Sequence, residues 1–351
     1  MENPLLKTSQ NTINKGLTWL NESRSKIAQI NDLSAHYKAP YLYASVGDPI
    51  LGKYYADLMK DKYFQQDGDF RTSIDKKGWG HLPSSPVNRY IYSNGWIICG
   101  LRQLSFLGLA EKGLNFIRKF QSVEYGGFAS HYDPIATNVN PKYLDSSSTS
   151  AAGLALVACG DVESAIKAGD FILRMIESQP QPDRFYYCSW DIDEGLRTNI
   201  WGSEDVTEIN GRKQFCLSAE SDPRHELTWL VGKPMKFLSK LYDQTNEEKY
   251  LQGARSLLSF FEKLDKERIH NYGSCKVMWA SAELFRLTGE KIYYKTAEEI
   301  LSWFCESQHE SGLWVHSLLY KNEDEQPFEA SLDIVQELCA EINDTIFNLS
   351  S

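Results

Sequence analysis

The chain has 351 residues, 42% of them hydrophobic, which is enough to bury a large core. Its formal charge of −10, from 37 basic and 47 acidic residues with no basic stripe, argues against nucleic acid and anionic membrane surfaces as partners. No stretch reaches the roughly 18 consecutive apolar residues of a membrane span, and Met1-Glu2-Asn3-Pro4 opens no basic-then-apolar leader. The 7 cysteines are dispersed and never spaced Cys-x-x-Cys, as expected of reduced thiols in a cytoplasmic protein. Aromatic residues are abundant (9 Trp, 19 Tyr, 16 Phe) and would either fill the core or line a pocket for an apolar or sugar-like ligand.

Taken in order, residues 10–30 carry Ile13, Leu17, Leu20, Ile27 and Ile30 at helical spacing. Asp48-Pro49 is a helix start signal, and the spacing predicts a helix over 49–64. A glycine- and proline-rich loop is expected over 65–86, with Gly78-Trp79-Gly80-His81 as a degenerate turn element. Helices are predicted over 87–109 and 110–122, then a loop through His131, Tyr132 and Asp133 to Pro141. Asp145-Ser-Ser-Ser-Thr149 opens a helix that is small and apolar nearly all round, the pattern of a helix buried on both sides, and an amphipathic helix follows over 162–178. Residues 179–222 break the rhythm and are expected to be strand or irregular. Further helices are predicted over 223–243, 247–264, 272–287, 290–307 and 326–346.

Two stretches repeat one pattern. Phe116-Ile117 leads through Phe120-Gln121 to Gly126-Gly127-Phe128, and Trp303-Phe304 leads through Gln308 to Gly312-Leu313-Trp314. Lys15-Gly16 matches the front of the first copy, Lys112-Gly113. Helix-to-helix corners are read at Leu107-Gly108, Cys159-Gly160, Thr245-Asn246 and Thr288-Gly289, a period near 45 residues if the middle interval counts twice. The aromatic-Gln-Gly-aromatic pattern resembles the Gln-Trp repeat of the terpenoid-cyclase and protein-prenyltransferase toroids. That resemblance implies an all-α fold: a single α/α toroid of about six helix pairs spanning residues 1–351, with an irregular insert around 180–222 and a central cavity. An open solenoid of helix pairs is the competing architecture.

Candidate chemistry is sought where inner helices begin, since helix N-termini offer free N–H groups and partial positive charge. Trp190-Asp191-Ile192-Asp193-Glu194, read as extended, would point Asp191 and Asp193 the same way, and two close carboxylates raise one pKa into a useful range. The run resembles the Asp-x-Asp-Asp acid motif of class II terpene cyclases. In that family the motif opens an inner helix, which here places Asp145 first, with Ser147 and Ser148 where further acids would stand. Asp222, His225, Glu226, Trp229 and Lys233 share one helical face, with His225 and Glu226 as candidate acid–base residues. The catalytic candidates are therefore Asp191, Asp193, His225, Glu226 and Asp145. Candidates for substrate contact are His81, His131, Tyr132, Trp190, Trp229 and Trp279, with Lys276 beside Trp279.

No metal-ligand spacing and no phosphate loop is present, so neither metal nor cofactor is expected. The activity that follows is cofactor-independent cyclisation or isomerisation of an apolar, isoprenoid- or polyketide-like metabolite. A carbohydrate-active enzyme (glycoside hydrolase or sugar epimerase) and a non-catalytic toroid that binds a peptide or protein are the alternatives.

Overall fold

The computed structural model describes residues 4–73, 91–133, 138–198, 208–209, 212–213, 216–218, 227–317 and 319–351. Side chains are described for these except at 130–141, 208–218, 266 and 268. The helices are α1 (Pro4–Glu22), α2 (Arg24–Ile27), α3 (Ala39–Ser45), α4 (Pro49–Leu58), α5 (Tyr92–Gln103), α6 (Leu107–Arg118), α7 (Ser146–Cys159), α8 (Val162–Glu177), α9 (Trp229–Thr245), α10 (Glu248–Phe261), α11 (Lys266–Ile269), α12 (Cys275–Thr288), α13 (Lys291–Ser307) and α14 (Phe328–Ser350). No described helix is long and apolar enough to cross a membrane.

Six of these helices form the inner wall of a closed ring. Each packs on the next in the order α3, α5, α7, α9, α12, α14, and α14 packs back on α3. Helices α4, α6, α8, α10, α13 and α1 lie outside as their partners. The two rings follow from two residue patterns. Helix α8 buries Ala165, Ala168, Phe171, Ile172 and Met175, one face at helical period, as an outer helix must. Helix α7 buries Ser146 to Gly153 without a gap, because it has neighbours on every side. Inner helices run parallel: Gly232 meets Lys276 near the starts of α9 and α12, and Lys240 meets Glu283 further along both. At Gly100 of α5 a β-carbon would lie 2.4 Å from the Tyr41 backbone nitrogen, so only glycine lets α3 and α5 approach this closely.

The repeated glutamines lock the outer ring. Gln121 Nε2 donates to Gly126 O (3.0 Å) and Ser164 O (2.9 Å), joining the turn after α6 to the start of α8. Gln308 Nε2 donates to Gly312 O (2.9 Å) and Thr12 O (3.0 Å), joining the turn after α13 to α1. Gly126 and Gly312 have positive φ (79° and 98°) and press on the backbone carbonyls of Lys167 and Lys15. A third copy, unforeseen in the sequence, occupies Tyr63 to Phe70. Gln65 Nε2 bonds Tyr63 O and Arg71 O, while Gly68 (φ 97°) presses on the carbonyl of Lys112. The Lys-Gly pairs at 15–16 and 112–113 are thus the surfaces that receive the preceding turn.

Several expectations are corrected. Helix α3, the shortest inner helix, stands where no helix was read, because a stretch of Ala, Pro, Tyr and Leu buried from Ala39 to Tyr43 has no polar face to reveal its period. Residues 129–133 and 138–145 pair as antiparallel β1 (Ala129–Asp133) and β2 (Asn138–Asp145) where a loop was expected. The insert contains β3 (Phe185–Tyr187), β4 (Ser189–Asp191), β5 (Gly195–Leu196), β6 (Glu208–Ile209), β7 (Arg212–Lys213) and β8 (Cys216–Ser218), with β1-β2-β4-β5 forming one sheet. The first corner is not Leu107-Gly108, since Ser105 takes the left-handed conformation (φ 65°), whereas Gly160, Asn246 and Gly289 cap their helices as read. The turn element at Gly78 to His81 lies outside the described residues.

Candidate functional site

The ring holds a cavity of about 440 Å³, lined by α7 (Ser150, Ala151, Leu154, Val157, Ala158) and by residues of α3, α5, α9 and α12. The α7 part of the lining is largely apolar because that helix is built from small and aliphatic residues. In the rest of the lining, Trp96 and Trp279 stack with ring centres 5.9 Å apart, and Tyr41 meets both edge-on at 5.1 and 6.2 Å. Both polar tips are fixed from behind: Tyr41 Oη and Trp279 Nε1 donate to Asp344 Oδ2 at 2.6 and 2.9 Å. Burial holds the Asp344 carboxyl above its usual range, more than Lys236 and these donors lower it.

Four lysines also line the cavity: Lys233, Lys236, Lys240 and Lys276. Lys233 lies over the rings of Tyr92 (3.9 Å) and Trp229 (4.3 Å) and bonds Ser147 Oγ at 3.1 Å. Lys236 lies 4.3 Å from the Trp279 ring and Lys276 4.6 Å from the Trp96 ring, contacts in which the ring quadrupole attracts the ammonium. Lys276 also bridges Glu337 and Glu341 of α14, while Lys38 of α3 pairs with Glu337 (2.6 Å) and Asp333 (2.9 Å). Tyr92 and Tyr272 add hydroxyl bonds to Glu337. This buried chain of charges ties three inner helices together. Burial keeps the Glu341 carboxyl above its usual range, and its Oε2 has no hydrogen-bond partner.

Cys275, Glu337 and Glu341 bring possible metal ligands within 4.8 Å of one another. Lys276 already supplies positive charge between the two carboxylates, and burial pushes the Cys275 thiol up, away from the thiolate a metal would need. The donor set does not fit a metal centre.

Asp145 caps α7, its Oδ1 accepting from Ser148 N at 2.7 Å. Strand β2 delivers it: Asp145 pairs with Ser189 of β4, and Ser146 N bonds Cys188 O at 2.9 Å. Burial pushes its carboxyl up to about 6, against the pull of Ser148 and Lys233, and Oδ2 is buried without a hydrogen-bond partner among the described residues.

Asp191 and Asp193 do not form the expected pair. Strand β4 stops at Asp191 because Asp191 Oδ1 accepts from Asp193 N (2.9 Å), which turns the chain and leaves Asp193 exposed. Asp191 is buried with Lys142 at 3.8 Å. Trp190 packs outward, on Phe171 of α8 (6.0 Å) and Tyr125 (5.8 Å), and does not line the cavity. Trp279 does line it, and Trp229 stands beside Lys233 at the start of α9. His81, His225 and Glu226 lie outside the described residues, and His131 and Tyr132 are described only as backbone of β1. Sequence reasoning missed Tyr41, Tyr92, Trp96, Lys236 and Lys240. A signal existed for the lysines: 233, 236 and 240 extend the face already drawn through Trp229.

No protein-family model matches the chain, and no curated protein matches it. Solved structures do. A D-mannose isomerase superposes with a TM-score of 0.62 at 13% identity, covering 89% of this chain and 86% of that one. The GH76 α-mannanase BT2949 of Bacteroides thetaiotaomicron gives 0.62 at 13%, covering 96% and 97%. The type II terpene cyclase MstE of Scytonema, solved with geranylgeranyl dihydroxybenzoate, gives 0.60 at 11%, covering 98% and 99%. The molecule is an α/α toroid, the fold that its Gln-Gly-aromatic turns announced.

Proposed function

We propose that the protein is an enzyme that cyclises or isomerises an apolar-bodied small metabolite in the ring cavity by acid–base chemistry. The observation that carries this reading is the mixed lining of the cavity: small and aliphatic residues of α7 together with the stacked Trp96 and Trp279 and their flanking lysines. An isoprenoid- or polyketide-like chain would lie against the aliphatic residues and the rings. The aromatic faces would stabilise developing positive charge. Asp145 is our choice of acid: it stands outside the lining itself, capping α7 about one turn before the first lining residue, Ser150, and a carboxyl raised to about 6 keeps a proton available near neutral pH. His225 and Glu226, just before α9 in the chain, are proposed as further acid–base residues. Such chemistry calls for no cofactor. The terpene cyclase among the structural neighbours is consistent with this reading.

A carbohydrate substrate is the second reading. The stacked indoles would also hold a sugar face, and the neighbours include a mannose isomerase and the cellobiose 2-epimerase of Spirochaeta thermophila. Hydrolysis fits less well. It needs two carboxylates flanking the bond, and among the described residues Asp243 is the only carboxylate in the lining, paired with Arg286 at 3.1 Å. A non-catalytic role fits least, since the ring is hollow where a scaffold could be filled.

Crystals soaked with isoprenoid alcohols and monosaccharides in parallel separate these readings. Isoprenoid density beside Leu154 and the Trp96–Trp279 pair supports the cyclase or isomerase. A sugar there transfers the proposal to a sugar isomerase or epimerase, and an empty ring in both soaks removes the enzyme reading.

A further inference from the structure

We propose that Lys236 is an imine-forming lysine, and that the cavity takes substrates carrying an aldehyde or ketone on an apolar body. This deepens the reading of the cavity as the active site and rests on it. Lys236 lines the cavity yet is only 1% exposed, so its amine is largely withdrawn from water. It sits among like charges: Lys233 and Lys240 are three residues before and four after it on α9, and Lys276 projects from α12 into the same cavity. Among the described residues its one ion-pair partner is Glu283, at 3.0 Å.

Lys236 is the strongest of the charges that hold the Glu283 carboxyl low, but it does not act alone. Lys240 (2.9 Å) and Arg286 (2.6 Å) also bind it, and Asn348 of α14 donates to it at 3.2 Å. Three cations therefore share Glu283, with Asp243 on Arg286 and Asp344 nearby the other carboxylates on this side. If Lys236 loses its proton, Glu283 keeps two cations, whereas an ammonium there adds a third like charge in a low-dielectric space. Glu283 and the Trp279 ring favour the ammonium, but burial and Lys240 prevail, and the Lys236 amine is held below its usual range. Desolvation beside a second cation is a recognised way to activate a lysine nucleophile.

The chemistry balances without an added oxidant or reductant. The neutral amine attacks the carbonyl carbon, forming the C–N bond as the C=O π bond opens. The resulting carbinolamine loses its oxygen as water with both amine protons, leaving a C=N bond. Lys240, 35% exposed and hydrogen-bonded to Glu283, is placed to pass protons between cavity and solvent. Protonated, the imine acidifies the neighbouring C–H, which is the step an isomerisation or ring closure through an enamine requires.

The test uses the intact protein with citronellal, a branched isoprenoid aldehyde, and borohydride to reduce the imine to a stable secondary amine, followed by peptide mapping. Citronellol, which lacks the carbonyl, reports cavity entry separately through Trp fluorescence. We expect Lys236 to be labelled at pH 7 about tenfold or more faster than exposed lysines such as Lys53. Lys240→Met should slow that labelling. Fluorescence quenching by citronellol with Lys236 labelled no faster than Lys53 overturns the imine proposal and leaves the cavity reading standing. Neither quenching nor labelling overturns both.

Discussion

Burial disfavours the ionised form of Asp145, and its folded-state pKa of about 6 stands above the ordinary 3.8. A raised carboxyl pKa means that the folded protein binds its proton more tightly than the unfolded chain does. The associated stability is fully present below about pH 4 and is lost as pH rises through 6. Asp145→Asn retains the helix cap but has no proton to lose. Relative to this variant, the wild-type protein should gain on the order of 2–3 kcal/mol between pH 7 and pH 4, read by urea unfolding at each pH. A flat difference would remove Asp145 as the acid. Lys276 makes the opposite case, a charge whose loss strands others. Lys276→Met should cost about 3–5 kcal/mol, because it leaves Glu337 and Glu341 buried with only Lys38 to offset them. Adding Glu341→Gln should recover part of that loss, since the two residues act as one unit.

Between elements, close approach and turn locks set the energetics. Gly100→Ala should destabilise by more than about 2 kcal/mol, since the new methyl would strike the backbone of Pro40 and Tyr41, which cannot rotate away. Gly108→Ala, on the exposed face of α6 with nothing within 4 Å, should be neutral or stabilise by up to about 1 kcal/mol. Thermal melts of the two variants decide whether packing or propensity governs these helices. Gln308→Ala removes the bond to Thr12 O of α1 and the one to Gly312 O that holds the turn after α13, and should cost roughly 1–3 kcal/mol with raised hydrogen exchange concentrated in α1.

For the whole molecule, the first and last helices complete one another: α1 is the outer partner of α14, and α14 closes the inner ring on α3. Nothing in that arrangement separates the chain into independently packed halves. The expected single-domain organisation of residues 1–351 therefore predicts one unfolding transition, coincident by Trp fluorescence and far-UV circular dichroism. Deleting α1 should broaden it and lower its midpoint. Two resolved transitions would show that the insert or one arc of the ring folds on its own.

The toroid was legible in the sequence because its rules are local. An amphipathic period, a left-handed cap such as Gly160, and a Gln four or five residues before a positive-φ glycine are each decided within one repeat. Asp145 was legible only as the first residue of a Ser-rich inner helix, and the structure makes it that helix's cap. Helix α3 was not, because a short helix buried on all sides has no polar face from which a period can be read. Asp191 and Asp193 looked alike as letters two apart, and only the turn between them made one buried and the other exposed. The cavity itself is non-local. Tyr41, Trp96, Lys236, Trp279 and Asp344 come from five different helices, and no spacing along the chain relates them. The residue pattern settled most of the helices and that they repeat. Ring closure alone decided which side chains meet at the centre, because that depends on the rotation of each helix about its own axis, which is set by packing against its neighbours.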